Sequence, residues 1–531
     1  MKKLGIYGGA FNPVHIGHIR SAYAFYDSIG LNELHIMPTF ISPHKETDEN
    51  TEPEHRLKMA EIAFLDSSRN IKVSDYEMKQ GGKSYTYLTL THYKNENPDA
   101  ELYFLMGTDM FLSLDKWKNP DIIFSLCNIC CIRRENDEDG QNKIDEAKKR
   151  YEKTYGAKII QINADVNEMS SSQIRNTVCQ GRDTSSFLSE SVQKYIRDNR
   201  LYIKDPLYDA VRKYVYFKRR LHIFSTEDEA LALADIFELS EDQKEELRAS
   251  AVLHDLTKGM SYDQHIEFLN KNGADIDADT LGSEKTLHQL SGAYLSRELF
   301  SDIVNDRVFN NVRYHTTGRE NMTLCEKLMY LSDYIEKTRT FSDCVTLREY
   351  FYKNIDKAQS LPDKMRVLDD TLIMSFEMTV SDLINSGHKV HHLTTEALEY
   401  LKKQKEGKNM DENKSLELAE KIIKILDMRK GSDIKLLHVT EKTVLADYFI
   451  ICGGNSTTQV KGLCDEVEYK LGLEGVSPAH VEGHDSASWV LLDYSSVIVN
   501  IFTPDARGFY NLEKLWCEAE NVDISHLLTE D

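Results

Sequence analysis

At roughly 150 residues per domain, a chain of 531 residues has room for three or four domains, and a hydrophobic content of 41% excludes wholesale disorder. Acidic residues outnumber basic ones 87 to 65, for a formal charge of -22, and a negative field of that size excludes non-specific coating of DNA or RNA. No uninterrupted apolar run approaches the ~18 residues of a membrane span, and nine scattered cysteines point to a reduced, cytoplasmic chain.

The opening Met-Lys-Lys-Leu-Gly-Ile-Tyr-Gly-Gly is broken by glycines too early for a signal peptide and reads as a first strand. Strands are predicted at 4–7, 34–37, 71–73, 102–106, 129–132 and 159–162, with helical patterns between them. That alternation predicts a parallel sheet covered on both faces. After the first strand the chain passes Gly8, Gly9 and Phe11 and enters a helix at His15-Ile-Gly-His18. Glycines let backbone N–H groups approach an anion closely, and the helix N-terminus adds a favourable dipole. His15 and His18, three residues apart, can face one phosphate group. Further on, Ser170, Ser171 and Ser172 begin another helix, with Arg175 one turn later. Their hydroxyls can cap N–H groups or bind phosphate, and the guanidinium offers a fork for phosphate oxygens.

Together these strings resemble the nucleotidyltransferases that take a nucleotidyl group from ATP or CTP. Further elements narrow the resemblance to nicotinate-nucleotide adenylyltransferases over residues 1–203: Pro43-His-Lys45, Ser84-Tyr85-Thr86 at a helix start, Met106-Gly107-Thr-Asp109 at a strand end, and Trp117. The resemblance implies a Rossmann-like α/β domain that joins ATP, carried with Mg²⁺, to nicotinate mononucleotide. It gives His15, His18, Lys45 and Arg175 the charge neutralisation of an in-line transfer. Nucleotide contacts fall to Gly8, Gly9, Phe11, Ser84, Tyr85, Thr86, Gly107, Asp109, Trp117, Arg133, Ser171 and Ser172, with the pyridine stacked on Trp117. Leu88 stands where an acid is usual, and no proline follows Arg134. Nicotinamide mononucleotide and pantetheine phosphate stay open as rival substrates.

Lys204-Asp-Pro206 interrupts the alternation, and residues 204–404 read as all-helical, with helices predicted over 227–237, 244–253 and 323–335. This stretch holds His222, the doublet His254-Asp255, His288, His315 and Asp333. Asp333 lies in a largely apolar run, where an unpaired carboxylate is costly and a metal ion removes the cost. Imidazoles with carboxylates suit iron, manganese or zinc. The order His, His-Asp, Asp resembles the HD phosphohydrolase superfamily. The surroundings of His254, His288, His315 and Asp333 resemble its YqeK-type branch, which cleaves diadenosine tetraphosphate symmetrically into ADP. The resemblance implies two metal ions, iron or manganese: His222, His254, Asp255 and Asp333 hold the first, and His288 and His315 extend the site to the second. It sets Lys258, Arg313 and Arg339 on the polyphosphate. The residues after His222 and Lys337, where proline is usual, depart from the pattern.

Residues 402–414 are charged and lack core residues, so they predict a solvated linker, centred on 405–412. The remainder, 413–531, predicts a small α/β domain with a helix over 415–426 and strands at 448–452, 489–492 and 497–502. Gly453-Gly454-Asn455 offers a phosphate cradle, but a tight turn before a Ser/Thr cap is the stronger reading. The stretches Trp489-Val-Leu-Leu-Asp493-Tyr494, Asn500-Ile-Phe502 and Arg507-Gly-Phe-Tyr510 resemble the ribosomal silencing factor family. That resemblance implies docking through Trp489, Asp493 and Tyr510 on a large-subunit ribosomal protein at the intersubunit face, which blocks subunit joining. Asn500 stands for a usual histidine and Cys452 for a common threonine. The chain therefore reads as a cytoplasmic multidomain fusion with no DNA or membrane partner. The competing reading is a ribosome-associated regulator whose nucleotide domains sense rather than catalyse.

Overall fold

Six apolar segments separated by amphipathic helices form the first sheet: β1 (Lys3–Gly9), β2 (Glu33–Pro38), β3 (Ile71–Val73), β4 (Glu101–Gly107), β5 (Cys127–Arg133) and β6 (Ile159–Asn163). The computed structural model describes residues 1–41, 51–65, 68–133, 138–163, 170–440, 442–443 and 445–529. Every pairing in this sheet is parallel, in the order β3-β2-β1-β4-β5-β6. Leu4, Ile6, Leu34, Leu105 and Ile129 are buried because helices cover both faces. The chain order reverses between β1 and β4, and doubly wound sheets bind ligands at the carboxyl ends of the strands at such a switch. Those ends are Gly9 and Gly107. The helix Ile16–Ile29 follows β1 and stops at Gly30, whose φ of 66° is left-handed.

Contacts divide the chain into two units, Met1–Ser225 and Thr226–Asp531. The first runs past residue 203 because the following turns are tied back onto it. Arg212 donates to Arg200 O at 2.6 Å, Arg220 pairs with Glu52, and Phe217 packs on His55 with ring centroids 4.6 Å apart.

The second unit begins within the helix Phe217–Ile236 and continues through helices that include Glu241–Leu253, Glu284–Leu299, Asp306–Arg313, Leu324–Ile335 and Leu361–Asn385. Leu328, Leu331, Phe351 and Phe376 are among its buried core. Residues 402–414 lie inside one helix, His392–Met428. Residues 402–406 are exposed, but lysine, glutamine and glutamate are good helix formers and no proline interrupts them. A segment without core residues can still hold a regular backbone.

The second sheet comprises β7 (Ser432–His438), β8 (Tyr448–Gly453), β9 (His480–Glu482), β10 (Trp489–Asp493), β11 (Val497–Phe502) and β12 (Glu520–Val522). Its order is β12-β7-β8-β11-β10-β9, with only β8 and β11 parallel. These two strands are buried along their whole length. Strand β7 escapes a reading by hydropathy because Asp433, Lys435 and His438 dilute its apolar residues. The helix Thr457–Leu473 and the last turns of His392–Met428 share one core, through Val460, Leu463 and Val467 against Ala419, Ile422 and Leu426. No helix among the described residues is long and apolar enough to cross a membrane.

Candidate functional site

At the end of β1 the glycines admit close packing: a Cβ on Gly9 would stand 3.1 Å from the Phe11 ring, and one on Gly8 would touch Phe104. Phe11 itself is buried with a φ of 48°, so the loop turns sharply before its helix. The rings of His15 and His18 lie 3.7 Å apart, and Phe11 meets His18 edge-on at 5.0 Å. The His15 N–H donates to His18 Nδ1 at 3.3 Å. That fixes the tautomer: with Nδ1 accepting, the proton of a neutral His18 sits on Nε2, a donor suited to phosphate oxygen.

The second predicted element arrives from far along the chain. Ser170 caps the helix Ser171–Cys179 by accepting the Gln173 N–H at 3.3 Å. Arg175 Nη1 donates to Asn12 O at 2.8 Å and Nη2 to Ser172 Oγ at 3.2 Å, while Ser171 Oγ donates to Pro13 O at 3.3 Å. Gly8, Gly9, Phe11, His15, His18, Ser171, Ser172 and Arg175 thus share one place beside the switch point. Gly107 and Arg133 end the neighbouring strands β4 and β5, and exposed Asp109 lies in the first turn after β4. Thr86 begins the helix Thr86–Glu96, with Tyr85 as its N-cap and Ser84 just before it. Lys118 lies over the Tyr85 ring at 4.4 Å, and half-buried Trp117 packs on the core around Phe111 and Leu114. Leu88 is exposed. Lys45 and Arg134 fall outside the described residues.

Sequence reading missed Arg56, which is buried and donates to the carbonyls of Ala10, Thr39, Phe40 and Thr51 at 3.0, 2.5, 2.7 and 3.2 Å. It also missed buried Glu77, which accepts the Thr89 hydroxyl at 2.7 Å and whose carboxyl burial pushes above its ordinary range.

In the second unit His254, Asp255, His288, His315 and Asp333 converge. His254 and His315 each turn Nδ1–H onto a backbone carbonyl three residues earlier, Ala251 O and Val312 O, both at 2.7 Å. Their Nε2 lone pairs therefore point into the cluster, the arrangement that backbone carbonyls impose on metal-binding imidazoles. His254 Nε2 is 3.5 Å from Asp255 Oδ2 and 3.7 Å from Asp333 Oδ1; His288 Nε2 is 3.3 Å from Asp255 Oδ1 and 3.2 Å from His315 Nε2. Two triads with ligand atoms within 4.8 Å share His315: one adds His254 and Asp333, the other Asp255 and His288. Burial pushes the His288 and His315 imidazoles below their ordinary range. Burial alone would raise Asp255, yet the adjacent His254 and His288 hold its carboxyl well below the usual range. Neutral imidazoles beside a carboxylate are the protonation states that a metal ion requires. His222 is buried on the helix Phe217–Ile236.

Lys258 Nζ stands 2.9 Å from His288 Nε2, and Arg339 Nη2 donates to Asp333 Oδ1 at 2.6 Å. Arg313 lies instead over the ring of Tyr314, at 5.4 Å.

The third candidate is a surface. Trp489 stacks on Phe502 at 5.1 Å, meets Tyr510 at 4.7 Å and donates its indole N–H to Asn500 Oδ1 at 3.1 Å. Asn500, one of the departures, is buried and supplies the acceptor that orients this ring. Tyr510 is 50% exposed, and Phe509 and Leu515 beside it are 82% and 70% exposed. Asp493 Oδ1 accepts the Ser495 N–H at 2.7 Å and shapes the β10–β11 turn. Ser456 caps the helix Thr457–Leu473, which accounts for the turn at Gly453-Gly454-Asn455.

Three family models match the chain: cytidylyltransferase-like over residues 6–177, HD domain over 219–338, and ribosomal silencing factor during starvation over 412–531. A probable nicotinate-nucleotide adenylyltransferase of Clostridium kluyveri is 37% identical over 203 residues, covering 38% of this chain and 100% of its own length. Its counterpart in Clostridium novyi is 35% identical over 204 residues, with coverage of 38% and 100%. A solved structure from Clostridium acetobutylicum, described as a predicted HD superfamily hydrolase involved in NAD metabolism, is 30% identical, covers 37% of this chain and 96% of its own, and gives a TM-score of 0.32.

Proposed function

This chain belongs, by a match over 203 residues, to the nicotinate-nucleotide adenylyltransferase family, and from that premise we propose that the first unit joins nicotinate mononucleotide to the AMP moiety of ATP, releasing pyrophosphate and forming deamido-NAD. The supporting observation is the Arg175–Asn12 hydrogen bond of 2.8 Å across 163 residues, which unites two phosphate-binding elements at the sheet's switch point. The 5′-phosphate of the mononucleotide attacks the α-phosphorus in line. His18 Nε2–H, His15, Lys45 and Arg175 neutralise charge on the phosphates, with Ser171, Ser172 and the amides after Gly8 and Gly9 beside them. Mg²⁺ enters with ATP. Gly107, Asp109 and Arg133 border the nucleotide, and Ser84, Tyr85, Thr86 and Trp117 the pyridine. Pyrophosphate release measured with nicotinate mononucleotide, nicotinamide mononucleotide and pantetheine phosphate tests this reading. Turnover should be fastest with the first, and no turnover with any would leave a sensing role.

The HD domain carries a cluster of His and Asp groups that could hold a divalent metal ion, and we propose that it hydrolyses diadenosine tetraphosphate to two ADP using iron or manganese. The donor set fits: His222, His254, Asp255 and Asp333 would hold one ion, and His288 and His315 extend the site to a second. When bound, the ions polarise the phosphoanhydride and activate water. The Ala251 and Val312 carbonyls hold His254 and His315 in register, and Lys258, Arg313 and Arg339 offer positive charge to the polyphosphate. ADP formation that tracks metal content checks the assignment.

The silencing-factor domain implies a ribosomal partner. We propose that Trp489, Asp493 and Tyr510 dock on a large-subunit protein and block subunit joining in the cytoplasm. The proposed domain limits are 1–203, 204–404 and 413–531, with 405–412 joining the last two.

A further inference from the structure

We propose that Arg56 is a positioning residue for adenylyl transfer, whose guanidinium sets the separation between the ATP phosphate loop and the pyridine-side element at Ser84; this rests on the adenylyltransferase reading. Four acceptors from three separate stretches of chain meet on this side chain, and three of them belong to or are tied to the elements it joins. Ala10 lies between Gly9 and Phe11 in the phosphate loop. The Thr39 N–H donates to Gly9 O at 2.9 Å, while the Thr39 carbonyl accepts from Arg56 at 2.5 Å. The Phe40 N–H donates to Ser84 Oγ at 2.9 Å, while the Phe40 carbonyl accepts from Arg56 at 2.7 Å. Ser84 N–H in turn donates to Ile41 O at 3.0 Å. A continuous path of hydrogen bonds therefore runs from the glycines of β1 through Arg56 to the start of the helix Thr86–Glu96.

Only a guanidinium can serve this junction. Its planar fork donates in several fixed directions, whereas an ammonium is a compact point charge on a flexible stem. Arg56 is buried at 7% exposure, so unmet carbonyls there would have little water to turn to. In-line transfer needs the two phosphates in a near-attack arrangement, and a displacement of about 1 Å costs roughly 10²-fold in rate. Each mononucleotide, by contrast, needs only its own half of the site.

The test is Arg56→Lys in the full chain, with folding verified by circular dichroism. Dissociation constants for nicotinate mononucleotide and for a non-hydrolysable ATP analogue should stay within about threefold of wild type. Affinity for deamido-NAD, which must span both halves, should fall at least about tenfold, and kcat about 10²-fold. A parallel loss for all three ligands, as plain destabilisation would give, overturns the proposal, and so does an unchanged kcat. If Arg56→Lys does not fold, Arg56→Gln keeps an amide donor pair on the same helix position, gives up the remaining links and should show the same split between mononucleotides and dinucleotide; uniform weakening overturns the proposal. Wild-type protein that releases no pyrophosphate would defeat the underlying reading instead.

Discussion

Replacing Arg175 by lysine tests whether the phosphate loop depends on the fork geometry or only on a positive charge. Arg175 makes two directed contacts, 2.8 Å to Asn12 O and 3.2 Å to Ser172 Oγ. Lysine is shorter and can reach one of them at best. Losing a hydrogen bond to a charged group costs about 1.5–3 kcal/mol, and at about 1.36 kcal/mol per decade that is a fall of about tenfold to about 150-fold in kcat/KM. The helix should survive, because its cap is made by Ser170 and Gln173 rather than by Arg175. Initial rates of pyrophosphate release with nicotinate mononucleotide and ATP give the effect, and a thermal melt confirms the fold. A folded Arg175→Lys enzyme within threefold of wild type would refute the reasoning, since charge alone would then suffice.

His18→Ala should lower adenylyl transfer by about 10²–10³-fold, the usual loss for a donor to developing charge, while ADP formation from diadenosine tetraphosphate stays unchanged; both rates are measured on one preparation. Asp255→Ala should remove bound metal and hydrolase turnover together and leave pyrophosphate release intact, as elemental analysis beside the two assays would show. Tyr510→Ala in the full chain should weaken co-sedimentation with large ribosomal subunits without shifting the melting curve, because half of that side chain is already exposed. Wild-type binding should fall only in part at moderate salt, since aromatic anchors carry most of an interface's affinity and charge mainly its on-rate.

Much of the chemistry is local, and local chemistry is legible in the sequence. Two glycines followed by His15 and His18, three serines followed by Arg175, and the doublet His254-Asp255 are short strings whose residue types suit phosphate or metal, and the fold brings the first two together. The β-α alternation of the first sheet is legible for the same reason, since buried parallel strands need continuous apolar runs. What the sequence leaves open is which distant groups complete each string. Arg56 lies 46 residues from Ala10 and 16 from Phe40, so no spacing announces it. Asn500 reads as a departure until β10 and β11 pair and bring the Trp489 indole onto its amide. The ligand tautomers of His254 and His315 depend on carbonyls that only helix ends expose. Residues 402–414 show the converse: without a partner to bury, a charged helix carries no apolar stripe. Solvation and backbone order are separate properties, and hydropathy reports only the first.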